Sequence, residues 1–277
     1  MNNTIVDVFP FFDKDSNTFS YVVKDTSSDC CAIIDPVLDF DYASGNIFYD
    51  GADAIVDFIK NKKLKVLWII ETHVHADHLS AAPYIKNKVG GKIGIGKNIT
   101  LVQKTVFKIF NEKSTTKADG GQFDYLFEDG ETYSLGNVQC KAIHTPGHTP
   151  ACMTHIMADA AFVGDTLFMP DAGTARADFP GGDAAELYDS ISKILSEPDD
   201  TRIFMCHDYC PNGRQLEYQT TVAEQKANNI HVKQGISKSA FVDMRQKRDK
   251  TLSMPRLILP SLQVNMHAGH LPKEEGK

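Results

Sequence analysis

Six consecutive residues, His73-Val-His75-Ala-Asp77-His78, crowd three imidazoles and a carboxylate into one short segment that only Thr72 separates from the apolar run Lys65-Val-Leu-Trp-Ile-Ile-Glu71. An apolar block of that length without polar alternation reads as a strand buried on both faces. A rigid strand that feeds a short polar loop can aim several donors at one point. Downstream, Ala81, Ala82, Ile85 and Val89 recur at helical spacing over residues 79–89, and Gly90-Gly91 supplies the stop. Strand, polar loop and helix follow in order, so the chain reads as mixed α/β.

The arrangement recurs. Val138, Cys140 and Ala142 alternate with polar neighbours and lead into His144-Thr-Pro-Gly-His148, where Pro146-Gly147 forces a tight turn that can present His148. Residues 152–156 and 161–163 flank Ala158-Asp-Ala160 like the arms of a hairpin, and the second arm runs straight into Gly164-Asp165-Thr166. Leu187, Ile191, Ile194 and Leu195 mark a helix ending before Pro198, and Arg202-Ile-Phe-Met-Cys206 is one more buried strand, ahead of His207-Asp208. A lone His or Asp at a strand end is more often a hydrogen-bonded structural residue than a ligand. Four such clusters carry more weight, because side chains at strand ends in α/β sheets converge on a common crevice. Imidazole and carboxylate together suit Zn, Fe or Mn.

Composition narrows the setting. Hydrophobic residues at 42% and charged residues at 23% exclude disorder and collagen, and a net charge of -7 argues against nucleic acid or anionic membrane as partners. Residues 1–10 hold no positively charged n-region and no apolar run nears the roughly 18 residues of a spanning helix, so a cytoplasmic location is expected. Six cysteines without a CxxC pair fit a reducing compartment. Cys206 and Cys210, four apart beside His207, lack the second cysteine pair of a soft-metal site, and the adjacent Cys30-Cys31 reads as core strand. Residues 237–250 form a charged amphipathic helix with Phe241, Val242 and Met244 on its apolar side, whereas Pro255-Arg-Leu-Ile-Leu-Pro260 is too proline-bounded for a central strand. The expected organisation is a catalytic domain over 1–235 with a helical and extended appendage, 236–277, packed on it.

HVHADH, HTPGH, GDTLF and CHD in this order resemble the metallo-β-lactamase superfamily over about residues 5–227. The resemblance implies an αββα sandwich with metal at one edge of its two sheets. On that pattern one metal would draw on His73, His75 and His148, a second on Asp77, His78 and His207, and Asp165 would bridge. Within the superfamily the chain resembles the glyoxalase II-like branch, and more closely the persulfide dioxygenases. The narrower match rests on Asp171-Ala-Gly-Thr-Ala-Arg176-Ala-Asp178, on His207-Asp-Tyr209, and on the segment 248–269.

In persulfide dioxygenases one Fe(II) per chain is held by two His and one Asp, which map to His73, His148 and Asp165. His75, Asp77, His78 and His207 would then orient those ligands. The implied substrates are glutathione persulfide and O2, the products sulfite and glutathione, in a bacterial cytoplasm, with a homodimer left open. Arg176, Arg214 and Tyr209 are candidates to bind the two glutathione carboxylates, and Asp77, Arg176 and Tyr209 to assist the reaction. The competing expectation is a thioesterase of the glyoxalase II type, with two Zn ions or a mixed Zn/Fe pair holding a bridging hydroxide.

Overall fold

The computed structural model describes residues 5–111 and 117–272; the outermost residues of the two expected segments, 1–4 and 273–277, lie outside it. Two sheets of six strands each form its centre. The first contains β1 (Val6–Asp13), β2 (Thr18–Asp25), β3 (Cys30–Ile34), β6 (Lys65–Ile70), β8 (Lys92–Gly96) and β9 (Tyr125–Phe127), in that spatial order. β1 to β3 pair antiparallel, and β3, β6, β8 and β9 run parallel. A small ribbon of β4 (Val37–Asp41), β5 (Asn46–Phe48) and β7 (Leu79–Ser80) lies beside it. The second sheet runs β10 (Thr132–Leu135), β11 (Val138–His144), β12 (Met153–Met157), β13 (Ala160–Phe162), β14 (Arg202–Phe204) and β15 (Gln219–Thr221), with β13 and β14 parallel.

Alternation along the strands sorts the apolar side chains into layers. Val23, Ala32, Ile34 and Ile70 of the first sheet face Cys140, Ala142, Phe162 and Phe204 of the second in one buried core. Their sequence neighbours Val22, Ile33 and Ile69 point outward into a core with Ile55, Val56 and Ile59 of α1 (Asp50–Asn61), Ile85 of α2 (Ala82–Val89) and Val102 of α3 (Ile99–Ile109). On the other side Ala161, Val163, Ile203 and Met205 pack with Leu187 and Ile191 of α4 (Ala184–Ile194), Val222 of α5 (Val222–Asn228) and Phe241 of α6 (Lys238–Asp249). The result is the αββα sandwich, with a last helix, α7 (Ile258–Asn265), against β7. Among the described residues no helix is long and apolar enough to cross a membrane.

Two local expectations shift. Helix α2 begins at Ala82, not Leu79, because Leu79 and Ser80 pair with Leu38 and Val37 and Pro83 sits in the first turn, where its missing N–H costs nothing. The run after Pro255 is not extended throughout: Ile258-Leu-Pro260 opens α7, again with the proline in the first helical turn.

Candidate metal centre

All four polar clusters emerge at one edge of the sandwich. His73 to His78 follow β6, His148 sits in the β11–β12 connection, Asp165 lies in a 3-10 turn after β13, and His207 follows β14. Two glycines permit the approach. Gly147 has φ of +130°, and a Cβ there would lie 2.3 Å from the backbone of Leu187, so only glycine lets this turn rest on the start of α4. Gly164 has φ of +51°, and its Cβ would meet Thr72 Oγ1 at 2.5 Å, so a side chain at this position would force the loops carrying His73 and Asp165 apart.

Each imidazole is aimed by a hydrogen bond on its far nitrogen. Nδ1 of His73 meets Thr72 Oγ1 at 3.0 Å, Nδ1 of His78 meets Leu79 O at 3.1 Å, and Nδ1 of His148 meets Arg176 O at 2.8 Å. His207 Nδ1 is 3.2 Å from both Asn17 O and Thr18 Oγ1. His75 is reversed, with Nε2 held at 3.0 Å by Asp35 and Nδ1 turned inward. The inward atoms converge: Asp165 Oδ2 is 3.6 Å from His148 Nε2 and 4.0 Å from His73 Nε2, while Asp165 Oδ1 is 3.2 Å from His207 Nε2, which lies 3.3 Å from Asp77 Oδ2.

The donor set fits a metal. His73 Nε2, His75 Nδ1, His78 Nε2, His207 Nε2 and Asp165 Oδ1 are buried without a hydrogen bond. At about 1–3 kcal/mol for each unsatisfied group, leaving five such atoms unpartnered would cost an amount comparable to a typical folding free energy, which metal in the site, or water in its absence, offsets. His73, His148 and Asp165 form one set whose ligand atoms lie within 4.8 Å of one another, and His75, Asp77 and His78 form another. Bonds of about 2.0–2.2 Å to a shared ion require such spacing. Burial pushes the His73 pKa well below its usual value and brings that of His78 to about 4, which keeps both as neutral ligands. Burial alone would raise Asp165, but His207, His73 and His148 hold it well below the usual carboxylate range.

Asp35 and Glu71 both reach His75 from behind, and the motifs do not announce either. Asp35 is buried at φ of +47°, accepts from Thr72 N at 2.7 Å and Thr72 Oγ1 at 2.9 Å, and orients His75. Its signal was available, since Asp35-Pro36 closes the apolar strand β3 just as Asp165 follows β13. Glu71 lies 3.4 Å from His75 Nε2 and is bonded by Ser80 Oγ.

A cavity of about 690 Å³ opens over the centre, with His148, Asp165 and Asp77 in its wall. Tyr209 also lines it, stacked on His207 at 5.7 Å. Arg176 reaches the cavity but is committed to Asp178 by two bonds of 2.6 and 2.8 Å and to Ser253 O. Arg214 is not brought to this cavity; it lines a separate surface groove, bonded in two-point fashion to both Asp171 and Asp208. Three histidines outside the donor set hold structure: His144 binds Asn98 and Pro150 O, His155 binds Tyr133, and His231 accepts from Thr174 N.

A sequence model of the metallo-β-lactamase superfamily matches residues 13–207. This chain belongs to that superfamily. It is 52% identical to a probable metallo-hydrolase of Burkholderia pseudomallei, over 96% of this chain and 94% of that one. Glyoxylase B2 of Dictyostelium discoideum is 45% identical, covering 99% of this chain and 94% of its own. Two proteins named ETHE1 are also similar, the human one a persulfide dioxygenase. The human mitochondrial protein is 31% identical over 93% of this chain and 87% of its own length. The crystal structure of ETHE1 from Myxococcus xanthus superposes with a TM-score of 0.75, 26% identity, 95% coverage of this chain and 100% of that one.

Replacing His73, His148 or Asp165 singly with Ala is expected to abolish metal retention while the circular dichroism of a folded domain persists, because two protein donors remain where three are needed. Full metal content in any of the three variants contradicts the assignment.

Proposed function

We propose that this chain is a persulfide dioxygenase of the bacterial cytoplasm, holding one Fe(II) through His73, His148 and Asp165. The observation that supports this reading is that two of these three donors, His148 and Asp165, line the cavity over the centre, whereas of the other set only Asp77 does. A two-His, one-carboxylate set leaves open positions for O2 and a sulfur substrate, which is the chemistry the metal supplies when bound. The balance is one persulfide, one O2 and one water giving one thiol and one sulfurous acid, with the sulfur–sulfur bond broken.

The rest is done by the chain. Phe168, Phe179 and Leu257 make much of the cavity wall apolar, which excludes water around the sulfur. Tyr209 presents its ring beside His207. Arg248 and Arg256 line the cavity, and their side chains make no hydrogen bond or ion pair within 4 Å among the described residues, unlike Arg176 and Arg214. They are the groups suited to the carboxylates of glutathione persulfide.

A second reading is a thioesterase of the glyoxalase II type. It is favoured by the clustering of all seven donors, by Asp165 belonging both to the His73 set and to the set with His207, and by the likeness to glyoxylase B2.

Aerobic protein loaded with Fe(II) should consume O2 when given glutathione persulfide and should cleave acyl-glutathione thioesters far more slowly. A flat oxygen-electrode trace beside rapid thioester cleavage reverses the choice. In steady-state kinetics, Arg248→Gln combined with Arg256→Gln should raise KM by about tenfold or more for each charge-assisted bond lost and lower kcat less, since such bonds hold ground and transition states alike. A fall in kcat at unchanged KM contradicts this role.

A further inference from the structure

The ligand segment 73–78 is unusual in how little holds its main chain. Among the described residues no backbone-to-backbone hydrogen bond reaches it: the last before it joins Met153 N to Thr72 O, and the first after it belongs to the pairing of β7 with β4. One side chain makes up the deficit. Asn265 Nδ2 donates to His75 O at 2.9 Å and to His78 O at 2.8 Å, and Asn265 Oδ1 accepts from Ser80 N at 2.8 Å. A planar carboxamide, two donor hydrogens at one end and an acceptor at the other, matches that set of three partners.

Asn265 is itself fixed. It is the last residue of α7, buried, and flanked by Val264 and Met266, which belong to the core with α1, α2 and α3. Gln103 Nε2 holds Met266 O at 3.0 Å. Four residues on, a Cβ at Gly269 would lie 2.9 Å from Ser80 O and 2.6 Å from Pro83, so the chain after α7 presses on the exit of the ligand loop.

We infer that Asn265 is a positioning residue of the metal centre: the C-terminal helix sets the backbone of the loop from His73 to His78, and so the aim of the His73 imidazole at its head and, where a second metal binds, of His75 and His78. This rests on the loop being metal-binding and holds for either reaction. Partners beyond the ligands typically alter metal affinity by about 10–100-fold.

The test is a chelator-competition titration of the full metal-free chain with Co(II), followed by its visible absorption. Asn265→Asp keeps the acceptor for Ser80 N and replaces the donor facing two carbonyls; Asn265→Ala removes both ends. Val264→Ala, on the same helix turn, loosens packing without touching the loop. Expected are a loss of Co(II) affinity of about 10–100-fold and an altered ligand-field spectrum for both Asn265 variants, at a metal-free Tm no lower than that of Val264→Ala, which keeps the unaltered affinity and spectrum. Unaltered affinity and spectrum in Asn265→Asp and Asn265→Ala overturn the inference, and so does an equal affinity loss in Val264→Ala. Absence of Co(II) binding by the unaltered chain instead overturns the metal-centre reading.

Discussion

The structure depends on one constraint: several imidazoles and a carboxylate are buried at a sheet edge with their inward atoms unpaired. A protein interior tolerates that only if each group is aimed from behind and the inward atoms share a partner. The first condition is met by ordinary backbone and side-chain acceptors, Leu79 O, Arg176 O, Asn17 O and Asp35 among them. The second is what a metal supplies.

Aiming from behind spreads the demand through the fold. His148 depends on the carbonyl of Arg176, whose loop is held by Arg245 Nη1 on Thr174 O at 3.1 Å and by Asp249 accepting from Ala177 N at 3.0 Å. His75 depends on Asp35 at the end of β3, and the loop between His75 and His78 on Asn265 of α7. Two C-terminal helices thus brace the centre, and the last turn of α6 with the segment joining it to α7 supplies Arg248, Arg256 and Leu257 to the cavity. The same stretch shapes the wall and steadies the ligands.

Much of this was legible from residue order. Apolar runs without alternation at β3, β6 and β14 marked strands covered on both faces, and the polar residues after β6, β13 and β14 marked the edge where they meet. What escaped has physical reasons. Asp35 carries the same strand-end signature as Asp165, but Asp165 also sits in the GDTLF stretch that carries the family resemblance, and Asp35 sits in no such stretch. Arg214 and Arg176 looked available because a sequence does not show that Asp171, Asp208 and Asp178 fold back onto them. Helix α7 was hidden by Pro260, which breaks a helix in its interior and suits one in its first turn. Asn265 acts across 187 to 190 positions of chain, a separation no local pattern reports.

Metal stoichiometry of the chain, produced with both iron and zinc available and measured by mass spectrometry per folded protein, bears most directly on this account. One iron per chain is predicted, held by His73, His148 and Asp165 beneath the cavity. Two metal ions per chain, lost together on replacing His78 or His207, would contradict the oxygenase reading and favour the hydrolase.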